Sequence, residues 1–353
     1  MLIRTSFSEQ LINWYTQHQR DLPWRHTQNP YYIWLSEVIL QQTRIAQGLP
    51  FYERFVETFP TIEALANADQ KEVLRLWQGL GYYSRARNLH QTAKIVVQEY
   101  GGVFPNTYTE LLKLKGIGTY TAAAIASFAF GEKVAVLDGN VYRVLSRVFG
   151  IETDITSNEA KKVFGKLANE LISDSQPATH NQAIMEFGAV QCVPVSPLCL
   201  FCPLSFGCVA NAANRQGSLP VKTKKTKVRE RFFNYFVIEQ NQRLLLRERT
   251  NKDVWAGMFD FYLIETHQAE NWETLVEDAW LKTVAKLGTM QSESGLYTHI
   301  LTHQRIQTKF WHISLSSEVS LLLPSNFQFY VLEEVDQLPK STLVNNFLKE
   351  YFF

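Results

Sequence analysis

The stretch LLKLKGIGTYTAAAIASFAF, residues 111–130, decides the fold. It reads as a helix, a short glycine hairpin and a second helix rich in alanine. Gly116 and Gly118 carry no side chains, so the backbone there approaches a ligand closely. The amides that open the second helix point outward and make a natural phosphate seat. Lys115 flanks the turn. A lone Gly-x-Gly is equally an ordinary turn between helices. What raises it is an acid about twenty residues on, Asp138 in VAVLDGNVYRVLSR.

Around this hairpin the chain from about residue 8 to 190 is helical, with apolar positions recurring at spacings of three and four, as in Val73, Leu74, Leu76 and Trp77. A length of 353 residues predicts two domains. Composition is that of an ordinary soluble globular chain, 46% hydrophobic and 20% charged. The first residues lack the apolar core of a signal peptide, and no apolar run approaches the roughly 20 residues of a membrane span. A cytoplasmic protein is expected. Net charge is +1, but residues 1–231 hold 25 Lys and Arg against 19 Asp and Glu, whereas residues 232–353 hold 10 against 15. The basic front part suits an acidic partner such as nucleic acid.

The segment RQGSLPVKTKKTKVRER (215–231) has Gly, Pro and six basic residues from Lys222 to Arg231 and no apolar period, as a linker does. It is either a solvated tether or a stretch that touches DNA. Beyond it, FFNYFVIEQNQRLLLRER predicts strand–turn–strand, WAGMFDFYLIE a further strand region, residues 271–287 one amphipathic helix, residues 296–301, 305–315 and 327–332 strands, and a helix closes the chain from about 341. The expected architecture is a mainly α N-terminal domain followed by a separate α+β domain.

Three features carry chemistry. All four cysteines fall in one short segment, as Cys192-x6-Cys199-x2-Cys202-x5-Cys208. Four thiolates on one loop suit a tetrahedral zinc or an iron–sulfur cubane, and the spacing does not choose between them. The group is either a structural staple or a redox centre. Glu37 stands in WLSEVILQQT (34–43), where Ile33, Trp34, Leu40 and Gln41 are its helical neighbours. A carboxylate there is costly unless it has a partner, such as an arginine, or a chemical task. Asp138 follows an apolar run and precedes Gly139-Asn140, the place of a helix N-cap.

Together the hairpin, the following Asp and the cysteine pattern resemble the helix-hairpin-helix DNA glycosylases that carry a [4Fe–4S] cluster. LPWR (22–25), NPYYIWLSEVILQQTRI (29–45), GLGYYSRARNLH (79–90), LKGIGTYTAAAI (114–125) and VLDGNVYRVLSR (136–147) are similar to the adenine DNA glycosylases among them. The resemblance is dense over about residues 5–210 and weaker beyond. It implies a helical glycosylase domain over 1–214, a basic linker over 215–230 and a Nudix-like domain over 231–353 that reads 8-oxoguanine.

The resemblance further implies roles. Glu37 is the general acid, Asp138 the carboxylate that stabilises or captures C1′, and Tyr120 and Asn140 belong with them. Arg20, Leu22, Trp24, Arg25 and Gln182 match the adenine pocket, although Leu22 and Trp24 read equally well as core. Gln42, Thr43 and Tyr82 match positions that meet DNA, two of them as wedges near the opposing base, and Gly116 and Gly118 match its backbone-binding hairpin. Cys192, Cys199, Cys202 and Cys208 hold the cluster. Bifunctional relatives carry a Lys just after the hairpin, where this chain has Tyr120, and a phenol forms no imine. The family's Phe-Ser-His lesion-reading loop is here Leu301-Thr302-His303, which keeps a hydroxyl and the His and loses the ring. The Nudix hydrolase signature is absent, so no hydrolase activity is expected in that domain. The implied partner is double-stranded DNA with adenine opposite 8-oxoguanine or guanine, bound by a monomer at the bacterial nucleoid. The rival readings are a glycosylase of the same fold with another base specificity, a non-enzymatic Fe–S DNA-binding protein and an RNA-binding zinc protein.

Overall fold

A computed structural model describes residues 2–223, 227–250 and 253–353. Of the linker, Lys224, Lys225 and Thr226 lie outside the described residues. The chain forms two compact units that part at the linker, with one exception: residues 68–87 belong to the second unit. The sequence places them in the first. Their partners explain the difference. Arg87 Nη1 donates to the Ala256 carbonyl at 2.8 Å, and the Lys340 amide donates to Gln78 Oε1 at 3.0 Å.

The first unit is helical. Its core gathers Phe7, Leu11 and Trp14 from the helix Leu2–His18, Val144 and Leu145 from Gly139–Phe149, Phe164 from Asn158–Leu171 and Phe187 from Pro177–Val190. In Gly139–Phe149 the buried Val141, Val144, Leu145 and Val148 recur at spacings of three and four, so one face is apolar. The helix Thr119–Phe130 is instead buried throughout Thr121–Ser127, and its alanines allow neighbours to approach closely.

The hairpin differs from the sequence expectation in its first arm. That helix is a single turn, Tyr108–Leu111, capped by Thr107 Oγ1 accepting from the Glu110 amide. Tight bonds spanning three residues, Leu114 N to Leu111 O and Ile117 N to Leu114 O, carry the chain onward. Gly116 has φ +88°, and a Cβ there meets Asn88 Cβ and Thr92 Oγ1 at 3.1 Å. Both the left-handed backbone and the close helix at Asn88 and Thr92 demand glycine. Gly118 is extended, and a Cβ there meets nothing within 4 Å.

The second unit is built on an eight-stranded sheet: β1 (Arg229–Gln240), β2 (Arg243–Glu248), β3 (Phe259–Asp260), β4 (Tyr262–Thr266), β5 (Gly288–Glu293), β6 (Tyr297–Leu301), β7 (Gln304–Leu315) and β8 (Phe327–Val331). Its main path runs β3-β2-β1-β7-β5, with β1 and β7 parallel from Arg229↔Gln304 to Gln240↔Leu315. Phe233–Ile238 is an unbroken buried run, as a strand covered on both faces requires. Leu275, Leu281 and Val284 pack with Phe236, Ile238, Trp311 and Ile313. Phe347, from the closing helix Thr342–Tyr351, stacks on Phe310 at 4.0 Å.

The single helix expected over 271–287 is two, Trp272–Leu275 and Ala279–Leu287. Asp278 breaks it, because its carboxylate accepts from the amides of Trp280 and Leu281 and starts a new helix. Strand β5 and the helix Leu332–Gln337 have no counterpart in the sequence reading.

Candidate active site

The helix Pro30–Ile39 begins as its sequence dictates. Asn29 Oδ1 accepts from the Tyr31 amide at 2.9 Å, and Pro30 fills the first helical position, where no amide is needed. Eight of its ten residues are buried, Glu37 among them at 8% exposure. Burial pushes the Glu37 carboxyl up to about 7, and the Asp138 charge pushes the same way; the hydrogen bond from Tyr120 and the charge of Arg25 oppose. An arginine partner is one bland explanation for a buried acid, but here the group that bonds Glu37 is a phenol. Tyr120 Oη, on the first turn of Thr119–Phe130, donates to Glu37 Oε2 at 2.6 Å. Burial and the two carboxylates hold the Tyr120 phenol far above its ordinary value, so it keeps its proton.

Asp138 N-caps Gly139–Phe149, accepting from the Val141 amide at 2.8 Å through Oδ1 and from Asn140 Nδ2 at 2.8 Å through Oδ2. The cap and the chemical role are therefore compatible in one side chain. Burial lifts the Asp138 carboxyl above its usual range, against the bonds from Val141 and Asn140 and the charge of Arg143. The helix N-terminus thus offsets desolvation without winning outright. Asn140 is itself fixed, since Arg143 Nη2 donates to Asn140 Oδ1 at 2.7 Å and to the Gly188 carbonyl at 2.6 Å. The two helices touch at this point: a Cβ on Gly188 falls 2.6 Å from Asn140 Cβ, so only glycine fits.

Glu37, Tyr120, Asp138 and Asn140 line one cleft of about 590 Å³, within the roughly 300–1,000 Å³ of small-molecule sites. Arg20, Leu22, Trp24, Arg25, Thr43 and Gln182 line it too. Leu22 and Trp24 are also core: both are buried, and Trp24 stands edge-on to Tyr52 at 5.1 Å. Tyr15 Oη donates to Gln182 Oε1 at 2.7 Å, which fixes the amide.

Sequence reading missed Glu186, which lies four residues after Gln182 on the same helical face. Its buried carboxylate takes Arg20 Nε and Nη2 and Arg25 Nη2, each at 2.6 Å, and the Arg20 amide at 3.0 Å. Burial works to raise its carboxyl, but these bonds win and bring it down to about 2. Arg143 was missed as well, though it stands three residues after Asn140.

Other expected residues lie elsewhere. Gln42 sits in the turn after Pro30–Ile39, exposed and at φ +56°, and Tyr82 has φ +50°. Two non-glycine residues in the left-handed region, both at expected wedge positions, are costly conformations of the kind functional sites retain. Tyr82, Thr302 and His303 line a separate cleft within the second unit, about 480 Å³, with Trp255, His299 and Leu301. There the Tyr82 and Thr302 hydroxyls are hydrogen-bonded. Gly116 and Gly118 stay in the hairpin, outside both clefts.

The four cysteine side chains line one pocket, half-buried and free of disulfides. Arg147 reaches into their loop, with Nη1 at 2.7 Å from the Val193 carbonyl and 3.5 Å from Cys192 Sγ, and Nη2 at 2.9 Å from the Pro194 carbonyl. Arg143 Nε adds a bond to the Cys192 carbonyl at 2.8 Å. Four soft donors around one pocket beside fixed cations fit an anionic iron–sulfur group. Among the described residues no three His, Cys, Asp or Glu side chains are grouped as around a single ion.

A buried acid raised toward neutrality, a second carboxylate in the same cleft and a glycine hairpin suit a DNA-repair glycosylase of the helix-hairpin-helix class, and the similarity to known proteins shows that class. The family described as HhH-GPD superfamily base excision DNA repair protein matches residues 35–170, and the NUDIX domain family matches 234–350. A thermostable thymine-DNA glycosylase structure superimposes with TM-score 0.56 at 31% identity, over 60% of this chain and 97% of that one. An endonuclease III–DNA complex shares the fold, with TM-score 0.53 at 23% identity over 61% and 99%. More specifically, the chain belongs to the adenine DNA glycosylase family. It is 38% identical to the enzyme of Buchnera aphidicola subsp. Baizongia pistaciae over 72% of this chain and 73% of that one. It is also 32% identical to the rat enzyme over 98% and 78%, and 31% identical to the human enzyme over 98% and 74%. No helix among the described residues is long and apolar enough to cross a membrane.

Proposed function

We propose that this chain hydrolyses the N-glycosidic bond of adenine mispaired with 8-oxoguanine or guanine in double-stranded DNA, as a monofunctional glycosylase. The observation that carries the reading is the Glu37–Tyr120 pair with Asp138 in the same cleft. The adenine leaves the stack, because N7 and C1′ are out of reach in a duplex. Glu37, protonated near neutral pH, gives its proton to N7. The C1′–N9 bond breaks, neutral adenine departs, and positive charge develops at C1′. Asp138 stabilises or captures that centre. Water then attacks C1′, and the Glu37 carboxylate takes its proton and is restored. Tyr120 holds the Glu37 carboxyl in place through its phenol.

In this reading Arg20, Leu22, Trp24, Arg25 and Gln182 receive the base. Gln42, Thr43 and Tyr82 meet the distorted duplex, and the hairpin at Gly116 and Gly118 seats a phosphate. Residues 1–214 do the chemistry, 215–230 connect, and 231–353 read the lesion through Thr302 and His303. Cys192, Cys199, Cys202 and Cys208 hold a [4Fe–4S] cluster, which supplies chiefly a rigid staple for its loop. The protein acts as a monomer in the bacterial cytoplasm, at the nucleoid.

The test is single-turnover base release from duplexes with A opposite 8-oxoguanine, A opposite G, A opposite C and T opposite G. Release of adenine, fastest opposite 8-oxoguanine, is expected. Preferential release of thymine assigns the chain to the other base specificity and overturns the reading.

A further inference from the structure

Glu186 is a buried acid that the excision steps above leave idle. Its carboxylate accepts three bonds of 2.6 Å from the Arg20 and Arg25 guanidiniums. Arg25 Nη1 is also held, by the Arg20 carbonyl at 2.7 Å. All three side chains line the cleft that contains Glu37. A guanidinium without a partner beside a buried carboxyl pairs with it and strips its proton, because opposite charges attract strongly where water is scarce. Of the four arginines that line the cleft, Arg25 is the one whose charge already acts on Glu37, and its guanidinium is taken by Glu186.

Resting on the assignment of Glu37 as general acid, we propose that Glu186 is a positioning residue: with Arg20 bound beside it, it locks Arg25 into an ion pair of its own and so keeps that guanidinium from pairing with Glu37. The other charged and titratable groups that face Glu37 are accounted for. Tyr120, from Thr119–Phe130, donates to it; Asp138, at the head of Gly139–Phe149, repels its anion. Arg143, on that helix, is spent on Asn140 and the Gly188 and Cys192 carbonyls. Arg44, before Ile45–Thr58, is exposed, where solvent screens it. Arg25, from Pro23–Arg25, is the cation that already opposes the raised state of Glu37 while paired. Releasing it strengthens that effect.

The experiment is single-turnover excision by the full-length protein on an A:8-oxoguanine duplex, followed from about pH 5 to about pH 9 to locate the alkaline limb of the rate. Glu186→Gln keeps the shape and removes the charge. Its limb moves to lower pH, so the rate at about pH 8 drops roughly tenfold for each pH unit of displacement while the rate at about pH 5.5 nears the parent's. Adding Arg25→Met to Glu186→Gln moves the limb back up. A Glu186→Gln rate lowered equally at every pH means that Glu186 only braces the fold, and the proposal fails. If Glu186→Gln does not fold by circular dichroism, Arg25→Met alone decides: its limb moves to higher pH, and an unmoved limb overturns the proposal. Failure of the underlying assignment looks different, since Glu37→Gln then retains excision whatever Glu186 does.

Discussion

The Tyr120 phenol donates a 2.6 Å hydrogen bond to Oε2 of Glu37, tying the second helix of the hairpin to the buried acid. The same position carries a phenol, which fixes the acid and forms no imine. Tyr120→Lys puts an amine beside the reacting sugar. Borohydride is expected to trap covalent protein–DNA adducts with the variant and almost none with the parent. Efficient trapping by the parent would show that another lysine already serves.

Glu37→Gln preserves shape and an acceptor for Tyr120 but carries no proton to give. Excision is expected to fall by at least ~10²-fold, the contribution of general acid catalysis alone, while binding to the mispaired duplex persists in a gel-shift assay. Near-normal excision would remove Glu37 from the mechanism.

The same substitution has a stability signature. The folded protein holds the Glu37 proton up to about pH 7, whereas an unfolded chain releases it near the ordinary glutamate value of 4.5. Stability is therefore lost as pH rises between those values, and above about 7 the buried charge costs on the order of 3 kcal/mol. Glu37→Gln does not titrate, so its melting temperature should exceed the parent's at pH 8 and match it near pH 5. Equal differences at the two pH values would show that Glu37 is not held protonated. By the same titration, parental excision should decline about tenfold per unit above pH 7 as the acid loses its proton.

Thr302 and His303 share a cleft with Tyr82, and Thr302 is hydrogen-bonded to it. Removing residues 230–353 is a poor test of lesion reading, because residues 68–87 belong to the same unit and would lose their packing. Thr302→Ala with His303→Ala is cleaner. The preference for A:8-oxoguanine over A:G should shrink by about 1–3 kcal/mol, the cost of an unmatched hydrogen-bonding site, with A:G excision little changed. An unaltered ratio of the two rates would place lesion reading elsewhere.

Much was legible in the sequence because it is local. Spacing announced the cysteine loop, Asp138 stands at a helix start, and strand-forming runs bounded by turn residues marked β1, β2, β6, β7 and β8 close to their observed bounds, while β3 and β4 read as one strand region. Glu37 was conspicuous as an acid in an apolar helix. Tertiary structure alone decided what those residues meet. No pattern pairs Glu37 with Tyr120, 83 positions away, or brings Arg20 and Arg25 to Glu186 across 166 and 161. Nor does any signal assign residues 68–87 to the second unit, since they read as one more amphipathic helical stretch and only a distant partner surface claims them. Local propensity follows from each residue and its near neighbours. The protonation of an acid, the pairing of a guanidinium and the allegiance of a helix depend on burial and charges that converge only when the chain has folded.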